Sequence, residues 1–462
     1  MEGDSQSYLE FSDYRPHGYP LFLAFHRLIF GSLTHLPLVQ ATFYYLAIWV
    51  LAFAMSRRAG GWLFAPVFAL VAVSAPFLDF GGVMSDTSFA AWLALGMAAF
   101  LLYRSSDRPV FLAAASFCFG FAAITRTIGY VALAIYFFVI ALLLLKRWRH
   151  ELARLIAAIA PAIVLLFAAA ASNYSQNGEF RIGSWGGVAL LGKGLVTATP
   201  LPPAHKLSRF NWIPPKTSPA RVALRDVHSL PLKMLLVRQY YEYLRYQLVW
   251  KELDRREPSW RDATDPEREA FARLLAKAYI KNDPATYAEL VLLDYLSMWT
   301  VPRLLTPAEC AALGSEYDRL TYRPYLREFA QTKEGSIDYY RVVPAPSSIG
   351  LVYLVRWASG AFALVTLALA IFLLVRTREF FNRDGVDLFL PVAIVNGCYL
   401  ATAVMEGGFE RYVSGTWPLL SSALFVGLNA LTYRNWKARK CVTVEATVES
   451  QHRKPTDSHW SD

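Results

Sequence analysis

The run LARLIAAIAPAIVLLFAAAA, residues 152–171, carries a single charge, Arg154, across 20 residues. A helix needs roughly 17 to 25 mostly apolar residues to cross the hydrocarbon of a bilayer. No water pairs with backbone groups there, so a spanning segment must close its own hydrogen bonds. Comparable runs occupy Leu38–Met55, Trp62–Phe80, Thr87–Tyr103, Val110–Thr125, Tyr130–Leu145, Ile349–Val375, Val386–Met405 and Val413–Tyr433. The chain reads as an all-α polytopic membrane protein with about nine transmembrane helices. Val110–Thr125 and Tyr130–Leu145 are short and separated only by Arg126, Thr127, Ile128 and Gly129. They form either a tight helical hairpin or one kinked segment, and the charge pattern favours the hairpin.

Composition agrees. Of the 462 residues 55% are apolar and 18% charged, and the mean hydropathy of +0.30 belongs to the membrane class. Lys and Arg accumulate in short cytoplasmic loops. Here one side holds Arg57 and Arg58, Arg104 and Arg108, Lys146 to Arg154, Arg376 to Arg383, and the tail from Arg434 to Lys440. The opposite short loops hold only Arg126 and Arg411. This asymmetry predicts a cytoplasmic tail (434–462), two bundles of spans (37–172 and 349–433), and an extracytoplasmic insertion (173–348). The net charge of +10 is largely this topology signal, so no nucleic-acid partner is expected. Cys118, Cys310, Cys398 and Cys441 fall in different spans or compartments, which excludes a disulfide framework.

Residues 1–36 form an outer loop and, from 19 to 33, a segment too short to span, which reads as a helix lying in the interface. An outward N-terminus with no span before it predicts an upstream helix. The insertion reads as mainly helical: Thr264 with Glu267 and Thr306 with Glu309 have capping-box spacing. Asp283 and Pro284 open a helix carrying the stripe Tyr287, Leu290, Val291, Tyr295 and Trp299, a packing face rather than a ligand site.

Chemistry-bearing residues gather at the outer side. Asp4 lies in the first loop, and Asp13-Tyr14-Arg15-Pro16-His17-Gly18-Tyr19-Pro20 leads into the interfacial helix. Ser85-Asp86 lies at the next outer turn, Arg126 between two helices, and Glu410-Arg411-Tyr412 at the start of the last span. In order and membrane side these features resemble the GT-C superfamily of glycosyltransferases, which includes protein O-mannosyltransferases and aminoarabinose transferases. The resemblance covers residues 3–172 and 349–433; the insertion matches in position only. It departs where Ser5 follows Asp4, since many relatives have a second acidic residue there.

The resemblance implies transfer of a hexosyl or pentosyl group from a polyprenyl-phosphate donor to a glycan, lipid or protein acceptor, usually with inversion. The expected location is a bacterial inner membrane with a periplasmic insertion. An acceptor hydroxyl needs a carboxylate to take its proton; Asp4 fits and Asp13 is the alternative. The departing phosphate needs cations, which Arg126 and Arg411 supply at headgroup depth, with Tyr412, Arg15 and Lys193 as further donor-binding candidates. Each has a structural alternative: a loop cap for Asp4, and snorkelling or pairing with an outer carboxylate for the arginines. Asp86 either caps the helix at Thr87 or, with Glu410, binds donor or a divalent cation, magnesium or manganese. His17 and His26 read as structural. The competing class is a transporter or flippase, but the spans carry almost no charge in their cores and show no inverted repeat.

Overall fold

The computed structural model describes residues 5–12, 15–59, 64–73, 85–144, 151–183, 186–196, 198–212, 224–225, 227, 230–300, 311, 349–380, 385–405, 413 and 415–427. Every regular element among them is helical. They are α1 (Ser5–Leu9), α2 (Gly18–Phe30), α3 (Leu36–Ala59), α4 (Phe64–Val73), α5 (Asp86–Ser106), α6 (Pro109–Thr125), α7 (Gly129–Leu144), α8 (Leu152–Asn177) and α9 (Gly186–Val196). Then come α10 (Leu230–Tyr243, continued by a π-helical run Leu244–Glu252), α11 (Asp265–Asn282), α12 (Pro284–Thr300), α13 (Ile349–Phe380), α14 (Gly385–Met405) and α15 (415–427).

The described part of each expected span is helical, and among the described residues four helices, α3, α5, α8 and α14, are long and apolar enough to cross a membrane. Between lipid-embedded helices there is no hydrophobic drive, so small residues that allow close approach hold them together. Accordingly α5 buries Ala90, Ala91, Ala94 and Ala98 against its neighbours α3 and α6, and α6 buries Ala115, Ala122 and Ala123. Pro161 lies inside α8, and next to it the Ser116 hydroxyl on α6 accepts the Ala162 N–H at 3.2 Å. The serine thus bonds the backbone of α8 beside its proline and ties α6 to α8.

The short pair resolves as a hairpin. Arg126 leaves α6 in extended conformation, Tyr136 on α7 donates to the Leu112 carbonyl near the start of α6 at 3.2 Å, and a side chain at Gly129 would overlap the Ala122 carbonyl.

At one end of the bundle Asp387 on α14 accepts from Arg58 Nε at 2.7 Å and Arg104 Nε at 2.9 Å, tying α3, α5 and α14. This arginine-rich end is opposite the insertion end, where α8 runs to Asn177, past the boundary expected at 172.

The insertion has its own core, in which α9, α10 and α11 bury Leu191, Leu195, Tyr240, Leu275 and Tyr279. The Thr264–Glu267 capping box forms as expected, while Thr306 and Glu309 lie outside the described residues. Asp283 accepts the Thr286 N–H at 3.3 Å, capping α12.

α12 departs from the expected separation of insertion and bundle. Its stripe packs on two bundle helices: the Tyr287 hydroxyl donates to the Val404 carbonyl, and Trp299 stacks on Phe362 and meets Tyr399 edge-on. Tyr295 donates to Asn396 at 2.5 Å, and Asn396 in turn donates to Thr366 on α13 at 3.2 Å. α12, within 173–348, therefore packs into the bundle core, to which Met298 also belongs.

Candidate active site

The N-terminal loop is pinned on two elements at the insertion end, the start of α5 and the end of α8. The Tyr8 hydroxyl and Ser85 Oγ share a buried hydrogen bond of 2.9 Å, which fixes α1 to the start of α5. Arg15 donates from Nε to Ser7 Oγ at 3.1 Å and lies 4.7 Å over the Tyr8 ring. Beyond it, His17 Nδ1 bonds Ser172 Oγ at 3.1 Å and Asn177 donates to the Phe11 carbonyl at 3.3 Å, both near the end of α8. Phe11 has φ of 52°, a left-handed conformation uncommon for a residue with a side chain. Its carbonyl accepts from Asn177 and its ring meets that of His17 edge-on.

α2 carries the loop onto the bundle. A Cβ on Gly18 would stand 2.6 Å from the Ile124 carbonyl oxygen, so glycine is what lets α2 approach the last turn of α6. Tyr19, fully buried, donates to Gln40 Oε1 on α3 at 2.7 Å. The opposite face of α2 exposes Leu21, Phe25, Leu28 and Ile29, the face expected to lie on lipid.

Beneath the loop, Asp86 and Arg126 form an ion pair, with side chains 9% and 12% exposed. Of the two readings of Asp86, a helix cap or a binding group, the cap does not form. Ser85 is the N-cap residue and makes no capping bond, while Asp86 is the first helical residue and turns its carboxylate to Arg126. Removal from water strengthens such a pair but leaves it with no net charge, so further positive charge at this end rests with other cations.

The structure thus brings together Arg15, Asp86 and Arg126, with Tyr8 and Ser85 between them, from three separate stretches of chain. Sequence reasoning missed Tyr8. Its signal was an amphipathic ring four residues after Asp4 in a loop that also holds Leu9, Phe11 and Tyr14, a pattern that surface tyrosines share. Asp4, Asp13, Glu410, Arg411 and Tyr412 lie outside the described residues. Their described neighbours do belong to this end: Ser12 accepts the Arg15 N–H at 2.9 Å, and Gly415, at the start of α15, packs on the Phe89 ring one turn after Asp86.

Lys193 is not part of this cluster. It is fully buried on α9 and paired with Asp294 on α12, so its charge is balanced inside the insertion. Nearby, the Glu269 carboxylate accepts the N–H groups of Gly187 and Val188 and caps α9 from α11. Burial pushes its carboxyl up to about 7 against the opposing pull of those two bonds, Arg273 and Arg181. His26 is buried beside Phe30 on α2. Among the described residues no three His, Cys, Asp or Glu side chains form a metal-binding group.

Comparison with known protein families, curated proteins and solved structures found no match.

Proposed function

We propose that this protein is a GT-C-type glycosyltransferase that moves a sugar from a polyprenyl-phosphate donor to an acceptor at the outer face of the membrane. The observation that supports it is the convergence of Arg15, Asp86 and Arg126 under a loop carried by the apolar helix α2. A lipid-linked donor presents a phosphate at headgroup depth. A cluster with guanidiniums at a helix-bundle end, flanked by a face suited to lipid, matches that ligand.

In the proposed reaction the acceptor oxygen attacks the anomeric carbon and its proton passes to the carboxylate of Asp4, with Asp13 as the alternative base. The bond from that carbon to the phosphate oxygen breaks, and its electron pair leaves on polyprenyl phosphate. Arg411, Arg15 and Tyr412 complement the developing charge, while Arg126 is oriented by Asp86. A divalent cation would shield the donor phosphate, but Asp86 already balances a guanidinium. The described residues do not fit such an ion, and no step uses one.

The full topology belongs to the same proposal: nine spans, a bacterial inner membrane, and a periplasmic insertion from which α12 dips back along α14. Reporter fusions after Arg58, Arg149 and Lys440 should read cytoplasmic, and fusions within 200–280 periplasmic. The reaction itself is tested with purified protein in proteoliposomes supplied with polyprenyl-phosphate-linked sugars. Release of free polyprenyl phosphate that depends on acceptor supports transfer. Movement of intact donor between leaflets without cleavage would instead make the protein a flippase.

A further inference from the structure

At the arginine-rich end, α3, α5, α7 and the start of α8 surround a cavity of about 520 Å³. Its wall carries Arg57, Arg58, Arg104 and Arg154 against the carboxylates of Asp107 and Glu151. The carboxylates do not close it. Asp387 holds Arg58 and Arg104 through their Nε atoms from behind, and Arg154 reaches Asp107 at 2.6 Å and Glu151 at 2.7 Å. Among the described residues four guanidiniums thus meet three carboxylates. Arg57 lies 5.4 Å from the Phe53 ring, outside the Asp387 clamp.

The cavity also has an apolar side, formed by Leu143 and Leu144 at the end of α7. A ligand that suits it carries negative charge, several acceptor oxygens and an apolar body. Planar guanidiniums bind phosphate oxygens in pairs, and basic pockets between spanning helices take lipid headgroups. A soluble phosphate would leave the apolar wall of Leu143 and Leu144 uncovered. We infer that this cavity binds the phosphodiester headgroup of one anionic phospholipid and so clasps α3, α5, α7 and α8 together. The inference is independent of the transferase reading, since it concerns the opposite end of the bundle.

Native mass spectrometry of the full chain in detergent tests it, with dioleoyl phosphatidylglycerol, dioleoyl phosphatidylcholine or inorganic phosphate added separately. The expected result is one retained phosphatidylglycerol, at least about tenfold weaker binding of phosphatidylcholine, and about tenfold weaker phosphatidylglycerol binding in Arg57→Gln. Arg154→Gln should weaken binding as well. Because Arg154 also balances Asp107 and Glu151, the Arg57 variant keeps the test informative if that protein fails to fold. Equal retention by wild type and Arg57→Gln, or equal binding of both lipids, would overturn the inference. Inorganic phosphate binding as tightly as phosphatidylglycerol would overturn the lipid as the source of the phosphate.

Discussion

Asp86 at the start of α5 and Arg126 in the turn between α6 and α7 are paired with both side chains almost wholly removed from solvent. Arg126→Gln leaves the Asp86 carboxylate without its counter-charge and should lower stability by about 3 kcal/mol. The double variant Asp86→Asn with Arg126→Gln should recover most of that loss in thermal unfolding, while transfer stays at least about tenfold down in both. If transfer recovers together with stability, the pair is a structural strut and Arg126 does not meet the donor.

The carboxylates of the first loop divide the roles differently. Asp4→Asn keeps the size and much of the hydrogen bonding of the side chain but removes the base. Turnover should fall by about two orders of magnitude or more while donor affinity is retained. Unchanged turnover in folded protein moves the base to Asp13, whose substitution by Asn should then show the same signature.

Arg411→Ala should weaken donor binding and slow transfer together, because the phosphate is bound in the ground state and gains charge as the bond to the sugar breaks. Arg411→Lys should rescue in part, since a point charge does not reproduce the planar fork. Full rescue by lysine in steady-state kinetics would show that only charge matters there.

Glu269 gives the insertion a pH dependence. Its carboxyl is raised from 4.5 to about 7 by burial, so the folded state holds a proton that the unfolded state has released between those values. Stability from this group is therefore full below about pH 4.5 and lost as pH rises through about 7, a difference of roughly 3 kcal/mol. The unfolding midpoint of wild type should fall across that window, and that of Glu269→Gln should stay flatter. Parallel curves would mean that the carboxylate is charged in the folded protein.

What was legible in the sequence was set by local or bilayer-scale rules. The spans show because lipid demands long apolar runs, and the Thr264–Glu267 box shows because its partners are three residues apart. Ser85-Asp86 before an apolar run is indistinguishable from a helix cap until its partner is known, and Arg126 lies two helices away. The same holds for Lys193, an ordinary cation in sequence whose burial depends on Asp294 far along the chain. α12 escaped as a bundle helix because its 17 residues include Glu289 and Asp294, too short and too charged to read as a span. The arginines of the wide cavity were legible as a topology signal, but their enclosure of a common space was not.

The central claim, sugar transfer from a polyprenyl-phosphate donor, is tested most directly by mass spectrometry of glycolipids and surface glycans. The comparison is between cells with the gene, cells without it, and cells carrying Asp4→Asn with Asp13→Asn. The account predicts that deletion removes one hexose or pentose from a surface product and accumulates the corresponding polyprenyl-phosphate sugar, and that the double variant fails to reverse either change. Identical profiles in all three strains, or full restoration by the double variant, would contradict it.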